Sequence, residues 1–211
     1  MYIPKHFEQP DIQAMHELIR AHPLATLVTF GVEGLCANHI PLLLSEKSEP
    51  YGLLSGHVPH TNPVWCEASS QVEAMVIFQG PDAYITPSWY ASKQQTGKVV
   101  PTWNYTVVHA HGYIRAIDDT EWLRAHLEIL TNQQEAAFPH PWSVSDAPGD
   151  FTEKLLANLM GIEIPISKLI GKWKVSQNRP EPDKSGVVAG LRSLGISNSS
   201  RMADLVERGT D

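Results

Sequence analysis

The segment Leu54-Ser55-Gly56-His57-Val58-Pro59-His60-Thr61-Asn62-Pro63-Val64-Trp65 gathers hydrogen-bonding side chains where a strand runs into a turn. A terminal phosphate needs several donors converging on its oxygens. Thr61, Asn62, His60 and nearby backbone amides can supply them without a glycine-rich loop. The same residues also suit an ordinary polar turn started by Asn62-Pro63. Upstream, Cys36-Ala37-Asn38-His39-Ile40-Pro41 sets Asn38 and His39 in an otherwise apolar strand ahead of Leu42-Leu43-Leu44. If buried they need partners; on a half-exposed strand they meet water instead. Pro41 argues against a central, fully paired strand, so an accessible edge is the expectation. Such an edge offers N–H and C=O groups to the polar rim of a flat heterocycle while apolar side chains cover its face.

Other residue types suggest other chemistry. His109 and His111 share a strand face, and His57 and His60 cluster elsewhere, which permits metal or haem ligation, yet no Cys/His/Asp/Glu set completes a zinc spacing. Trp89, Tyr90, Trp103 and Tyr105 can stack on a planar ligand or equally mark a subunit interface. Gly-x-Ser-x-Gly, His-Glu-x-x-His, a Walker loop and a dinucleotide glycine fingerprint are absent. Any chemistry is therefore expected to come from a cofactor that the protein binds, orients and tunes.

The elements that must position these residues are short. Asp11 is placed to cap a helix through Ile12, Met15 and Ile19 that stops at Pro23. Leu24 to Phe30 and Leu35 to Leu44 read as a hairpin around the Gly31 to Gly34 turn, followed by strands at Tyr51 to Ser55, Val72 to Phe78 and Ala83 to Thr86. From Thr102 to Ile117 an extended stretch puts Trp103, Tyr105, Val107, His109 and His111 on one face and smaller groups on the other. Asp118 or Asp119 caps a further helix, Phe151 to Met160 forms another, and strands at Gly161 to Ile166 and Leu169 to Ser176 precede a loop-like stretch at Asn178 to Asp183. Strand and helix do not alternate regularly, which points to an antiparallel barrel rather than a doubly wound sheet. The expectation is one domain over 1–211, with an N-terminal helix, a helical insertion about 119–161 and a packed tail about 177–211.

With 211 residues the chain is long enough for one sizeable core. Its formal net charge of −7 argues against broad phosphate-backbone binding, which needs a Lys/Arg-rich face. Cys36 and Cys66 are too few for a disulfide framework and lie beside apolar neighbours, where buried thiols are common. A reducing cytoplasm is the simpler expectation, with no signal layout at Met1-Tyr2-Ile3-Pro4 and no membrane-length apolar run.

Five ordered motifs together carry a family resemblance. They are Ala37-Asn38-His39-Ile40-Pro41-Leu42, Gly56-His57 with Asn62-Pro63, Gly80-Pro81-Asp82-Ala83-Tyr84-Ile85 with Pro87-Ser88-Trp89-Tyr90, Lys98-Val99-Val100-Pro101-Thr102-Trp103-Asn104-Tyr105, and Gly171 to Arg179. From Met1 to about Leu191 the chain resembles the PaiB family of FMN-binding negative transcriptional regulators. The resemblance implies a mainly β fold, an antiparallel Greek-key split β-barrel similar to that of pyridoxamine-phosphate oxidases, with covering α-helices. It also implies a homodimer holding FMN between subunits. Asn38, His39 and Ile40 would border the flavin ring, Ser55, Gly56 and His57 would follow the ribityl chain, and Thr61 and Asn62 would meet the phosphate. Trp103 and Asn104 would reach in from the partner, and Pro41, His60 and Gln79 join the implied cofactor-binding set. One departure is the turn Val58-Pro59-His60, which lacks the arginine expected in many relatives. The acidic chain shows no basic recognition helix, so any effect on transcription would be indirect. An FMN-dependent reductase and, more remotely, a haem protein are the alternatives.

Overall fold

A computed structural model of the chain describes residues 1–48, 50–67 and 71–209. In order, the elements are β1 (Glu8–Gln9), α1 (Ile12–Ala21), β2 (Leu24–Gly31), β3 (Gly34–Pro41), β4 (Leu43–Ser45), β5 (Leu53–Pro59) and α2 (Val64–Glu67). Then come β6 (Ala74–Ile85), α3 (Ser92–Thr96), β7 (Thr102–Gly112), β8 (Arg115–Ile117), α4 (Thr120–Glu135) and α5 (Gly149–Leu156). The chain closes with β9 (Leu159–Pro165), β10 (Lys168–Lys174), α6 (Glu181–Ser193) and α7 (Ser197–Arg208). These elements fall into two compact units. One comprises Met1–His22, Phe78–His109 and Ile170–Asp211; the other comprises Pro23–Ile77 and Ala110–Leu169.

In the second unit β2 and β3 form the expected hairpin, registered from Leu24↔Pro41 to Gly31↔Gly34. Gly34 has φ +103° at the turn, a conformation that a side chain resists. β2 also pairs with β6 (Leu27↔Val76), while β3 is the last strand of its sheet, as Pro41 led one to expect. A four-stranded sheet runs β4-β5-β9-β8, with all its pairings antiparallel. Its core face buries Leu54, Val58, Met160, Ile162 and Ile164, the alternate residues of β5 and β9. Asp119 caps α4 by accepting from the Glu121 and Trp122 amides at 2.9 and 3.1 Å. α5 ends at Leu156, short of the expected Met160, because β9 claims Leu159 onward for its ladder with β5.

In the first unit the strand order is β1-β10-β7-β6. Asp11 caps α1 through the Gln13 amide at 2.9 Å, and α1 buries Met15, Leu18 and Ile19. On β7, Asn104, Thr106 and Val108 are buried, so the smaller residues form the core face while Trp103 lies outside, 54% exposed.

Three expectations need correction. The strands expected at Val72 to Phe78 and Ala83 to Thr86 are one strand, β6, whose buried alternation slips by one at Gly80-Pro81, as at a β-bulge. Of the stretch expected to be loop-like at Asn178 to Asp183, the last three residues open α6, and α7 follows it; residues 210 and 211 lie outside the described ones. Both cysteines are free and exposed rather than buried. No helix among the described residues is long and apolar enough to cross a membrane.

Candidate functional site

A groove of about 520 Å³ opens where the β2–β3 hairpin meets the turn after β5. Thr29, Glu33, Leu35, Cys36 and Asn38 line one side, and Pro59, Thr61, Asn62, Pro63 and Val64 line the other. Asn62 organises the turn. Its backbone N–H donates to the Pro59 carbonyl at 2.8 Å, and its side-chain oxygen accepts from the Val64 amide at 3.0 Å, which starts α2. Its amide nitrogen donates to Asn38 Oδ1 at 2.9 Å, joining residues 24 apart in sequence. The turn is anchored from behind, since the His60 N–H donates to the Asn158 carbonyl at 2.8 Å and Trp65 Nε1 donates to the His60 carbonyl at 3.0 Å.

No lysine or arginine is among the residues that line this groove, and Glu33 is. Its capacity for a polar ligand is therefore amide and hydroxyl chemistry, from Asn38, Asn62 and Thr61, together with the outward N–H and C=O groups of edge strand β3. The volume lies in the range of ordinary ligand sites.

The other expected residues on this unit go elsewhere. His39 alternates away from Asn38 and bonds the Thr26 hydroxyl through Nδ1 at 3.2 Å. Ile40 is buried, and Pro41 and Ser55 are half-buried in the sheet. At Gly56 the space of a Cβ is already taken by Leu42 Cδ2, 2.5 Å from that point. His60 stands against the Trp65 ring at 5.0 Å. His57 turns toward α4, its ring 5.4 Å from that of His126, which in turn stacks on Trp122 at 5.1 Å. Ser55, Gly56 and His57 thus do not line the groove that holds Asn38, Thr61 and Asn62. Burial lowers the His57 pKa, and burial followed by the His57 charge lowers that of His126 from the ordinary 6.5 to about 4. Groove residues missed from sequence, Thr29, Glu33 and Cys36, follow from the hairpin register, which sets Thr29 opposite Cys36.

Residues 1–168 match the family model described as "Putative FMN-binding domain". The chain is also 31% identical to "Protease synthase and sporulation protein PAI 2" of Bacillus subtilis, over 98% of this chain and 97% of that one. The chain belongs to the PaiB-type FMN-binding family. An uncharacterized protein of Emericella nidulans is 35% identical over 99% of this chain and 98% of its own. Among solved structures, the FAD and haem binding protein of Mycobacterium smegmatis superposes with a TM-score of 0.56 at 17% identity, covering 87% of this chain and 80% of that one. The flavocytochrome Anf3 of Azotobacter vinelandii gives 0.55 at 13% identity, with 82% and 72% covered. These structures resemble the chain in fold, which is mainly β, an antiparallel split barrel with covering helices.

In this PaiB-type chain the remaining expected residues lie on the first unit. Gln79 is exposed on β6. Trp103 is exposed with its ring edge-on to Tyr84 at 5.9 Å, and its carbonyl accepts from Lys174 Nζ at 2.7 Å. The Asn104 side chain, only 1% exposed, donates to Ser176 Oγ at 2.8 Å, which makes it a support for the backbone at Ser176 (φ 62°) rather than a free contact. Lys172 lies 5.2 Å from the Tyr105 ring centre, and Arg179 lies 4.6 Å from that of Tyr90. Trp89 and Tyr90, read as candidate ligand-stacking aromatics, pack instead against α6 and under Arg179. Among the described residues, no group of three or more His, Cys, Asp or Glu is placed to hold a metal.

Proposed function

We propose that this PaiB-type protein binds FMN at the β3 edge, with Asn38, Thr61 and Asn62 as the principal side-chain contacts. The observation that carries the reading is the Asn62–Asn38 bond. It joins two amides across one open groove that Thr61 also lines, beside β3, the last strand of its sheet. The donor set fits a phosphorylated flavin. Carbonyl and ring-nitrogen acceptors suit a strand edge, and phosphate oxygens suit the turn amides with the Thr61 hydroxyl. When bound, the flavin supplies electron transfer, while the protein orients it and sets what reaches it. Because Glu33 shares the groove and no cation does, phosphate is held by hydrogen bonds with little charge neutralisation. The affinity for FMN should therefore exceed that for riboflavin only modestly.

The working form in this reading is a cytoplasmic homodimer in which the exposed Trp103 of a partner copy covers the flavin. The biological role is negative regulation of transcription exerted through flavin state or a protein partner. The net charge of −7 favours that indirect route over direct DNA contact. Purified protein should show flavin absorption bands or acquire them with FMN. Changing Thr61 and Asn62 together to Ala should weaken uptake at least about tenfold, as expected for losing two hydrogen-bonding side chains. Unchanged affinity in the double variant would reject this placement, and a chain that stays monomeric with no affinity for oxidised or reduced flavin would reject the function.

A further inference from the structure

A second cavity shares no lining residue with this groove. It is wholly within the first unit, where a space of about 620 Å³ is lined by Leu18 of α1, Pro81 of β6, Thr106 of β7, Trp173 of β10, and Arg201 and Arg208 of α7. We propose that it binds a small carboxylic acid with an apolar or aromatic body, the body against Leu18, Pro81 and Trp173 and the carboxylate at Arg201 and Arg208.

Four observations converge on it. First, the strand bulge falls here. Gly80 and Pro81 break the alternation of β6, and a Cβ at Gly80 would stand 2.3 Å from Thr106 Oγ1 and 2.9 Å from Leu18 Cδ1. Glycine thus lets β6 pack directly on Thr106 and Leu18, two residues of the cavity's lining, in a setting where bulges serve to re-aim a strand. Second, Thr106 is 1% exposed and its hydroxyl has no hydrogen-bond partner among the described residues, a cost that a nearby ligand oxygen would remove.

Third, Arg201 and Arg208 stand two helical turns apart, about 10 Å along α7, and neither forms an ion pair among the described residues. The acids nearby argue for a monoanion rather than a phosphate dianion. Asp204 is held by Arg192 at 3.3 Å, and Glu17 also lines the cavity. A guanidinium meets a planar carboxylate with two parallel bonds. His22 also lines the cavity, and its pKa is lowered by burial first and by the Arg201 charge second. Fourth, α7 is fixed in place. The Asn198 side chain donates to the Asp82 carbonyl and to Asp82 Oδ1 at 2.8 and 2.9 Å, and Arg192 holds Glu207 at 2.7 Å.

The test is calorimetric titration of the full chain, saturated with FMN, using 4-phenylbutyrate and, as its neutral counterpart, 4-phenylbutan-1-ol. The expected result is saturable binding of the acid with Kd below about 1 mM, and at least tenfold weaker binding of the alcohol. Arg201→Gln with Arg208→Gln should weaken the acid about tenfold or more. Thr106→Val, which keeps the shape and removes the orphaned hydroxyl, should leave thermal stability unchanged or higher while weakening the acid about threefold. Absence of saturable binding, equal affinity for acid and alcohol, or no effect of the arginine changes on a folded variant would overturn the proposal. FMN uptake is measured separately, so these failures leave the flavin reading untouched.

Discussion

His57 and His60 stand three residues apart where β5 runs into its turn, and the fold uses them in opposite ways. His60 is exposed, and its backbone does the structural work by accepting from Trp65 and donating to Asn158. His57 points into the layer between the β5–β9 sheet and α4. There its Nδ1 and the Nε2 of His126 are buried without hydrogen-bond partners among the described residues. Polar residue types in one motif therefore need not serve one ligand. The turn offers polar groups to a groove, whereas the strand face hides neutral imidazoles inside a packed layer, where charging them is unfavourable.

The strongest way to break the buried half of this contrast is to overfill it. Gly161, paired with His57 across the ladder, faces Trp122 so closely that a Cβ would lie 2.5 Å from its ring. Gly161→Val must displace the Trp122–His126 stack, and should cost about 3 kcal/mol or more. The loss would be read as a fall in melting temperature of roughly 6–12 °C. FMN affinity of the folded fraction should change little, because the groove is on the other side of the contrast.

Acid is the second lever. His126 is held neutral with a pKa of about 4 when folded and returns toward 6.5 when unfolded, so the unfolded chain binds the proton first. Its contribution to stability is complete above pH 6.5 and is lost as pH falls from there toward 4, by up to about 3 kcal/mol. His57, also pushed down by burial, adds in the same direction. The charged groups sharing that sheet face are Glu163 on β9 and Arg115 on β8, paired with each other in register. On α4, Arg124 is engaged with Glu153. Denaturant melts from pH 7 to 4 should show the loss, and His126→Leu should flatten the profile. An unchanged slope in that variant would mean that His126 is not the proton acceptor.

How much of this was legible beforehand depends on what local patterning can encode. The hairpin, the capped α1 and α4 and the edge character of β3 came through because Gly34, Asp11, Asp119 and Pro41 act within a few residues of where they stand. α6 did not. Gly186 and Gly190 lower its helix propensity, yet they share one helix face against Trp89, where a Cβ at the first would lie 2.0 Å from the Trp89 carbonyl oxygen and one at the second 2.3 Å from its ring. Packing nearly a hundred residues away overrides their low propensity. The site divided the same way. Asn62 with Pro63 advertised a turn, but that Asn62 meets Asn38 depends on a 24-residue closure. The side of the sheet on which His57 falls is set by its pairing with Gly161.

On the groove side, Asn62→Ala removes both the bond to Asn38 and the cap on the Val64 amide. It should weaken FMN by about 1–2 kcal/mol, roughly tenfold. Asn38→Ala should cost less, since the Val64 cap survives. A double-mutant cycle should show coupling of at least about 0.5 kcal/mol, as for two side chains in direct contact. Additive losses would mean that the two amides do not act together on the ligand.

The smallest effect is the sharpest statement of the comparison. His60→Ala leaves the His60 carbonyl and amide in place, so Trp65 and Asn158 keep their bonds and only the ring contact at 5.0 Å is lost. An exposed side chain with so little bound to it should change stability by less than about 0.5 kcal/mol. If the Thr61 and Asn62 side chains carry the phosphate, FMN affinity should fall less than about threefold, and the stability profile from pH 7 to 4 should match that of the parent. A tenfold or greater loss of FMN in His60→Ala would move the histidine into the groove and supply the cation that its lining lacks. The contrast with His57 would then be one between two functional imidazoles rather than between an exposed side chain and a buried one.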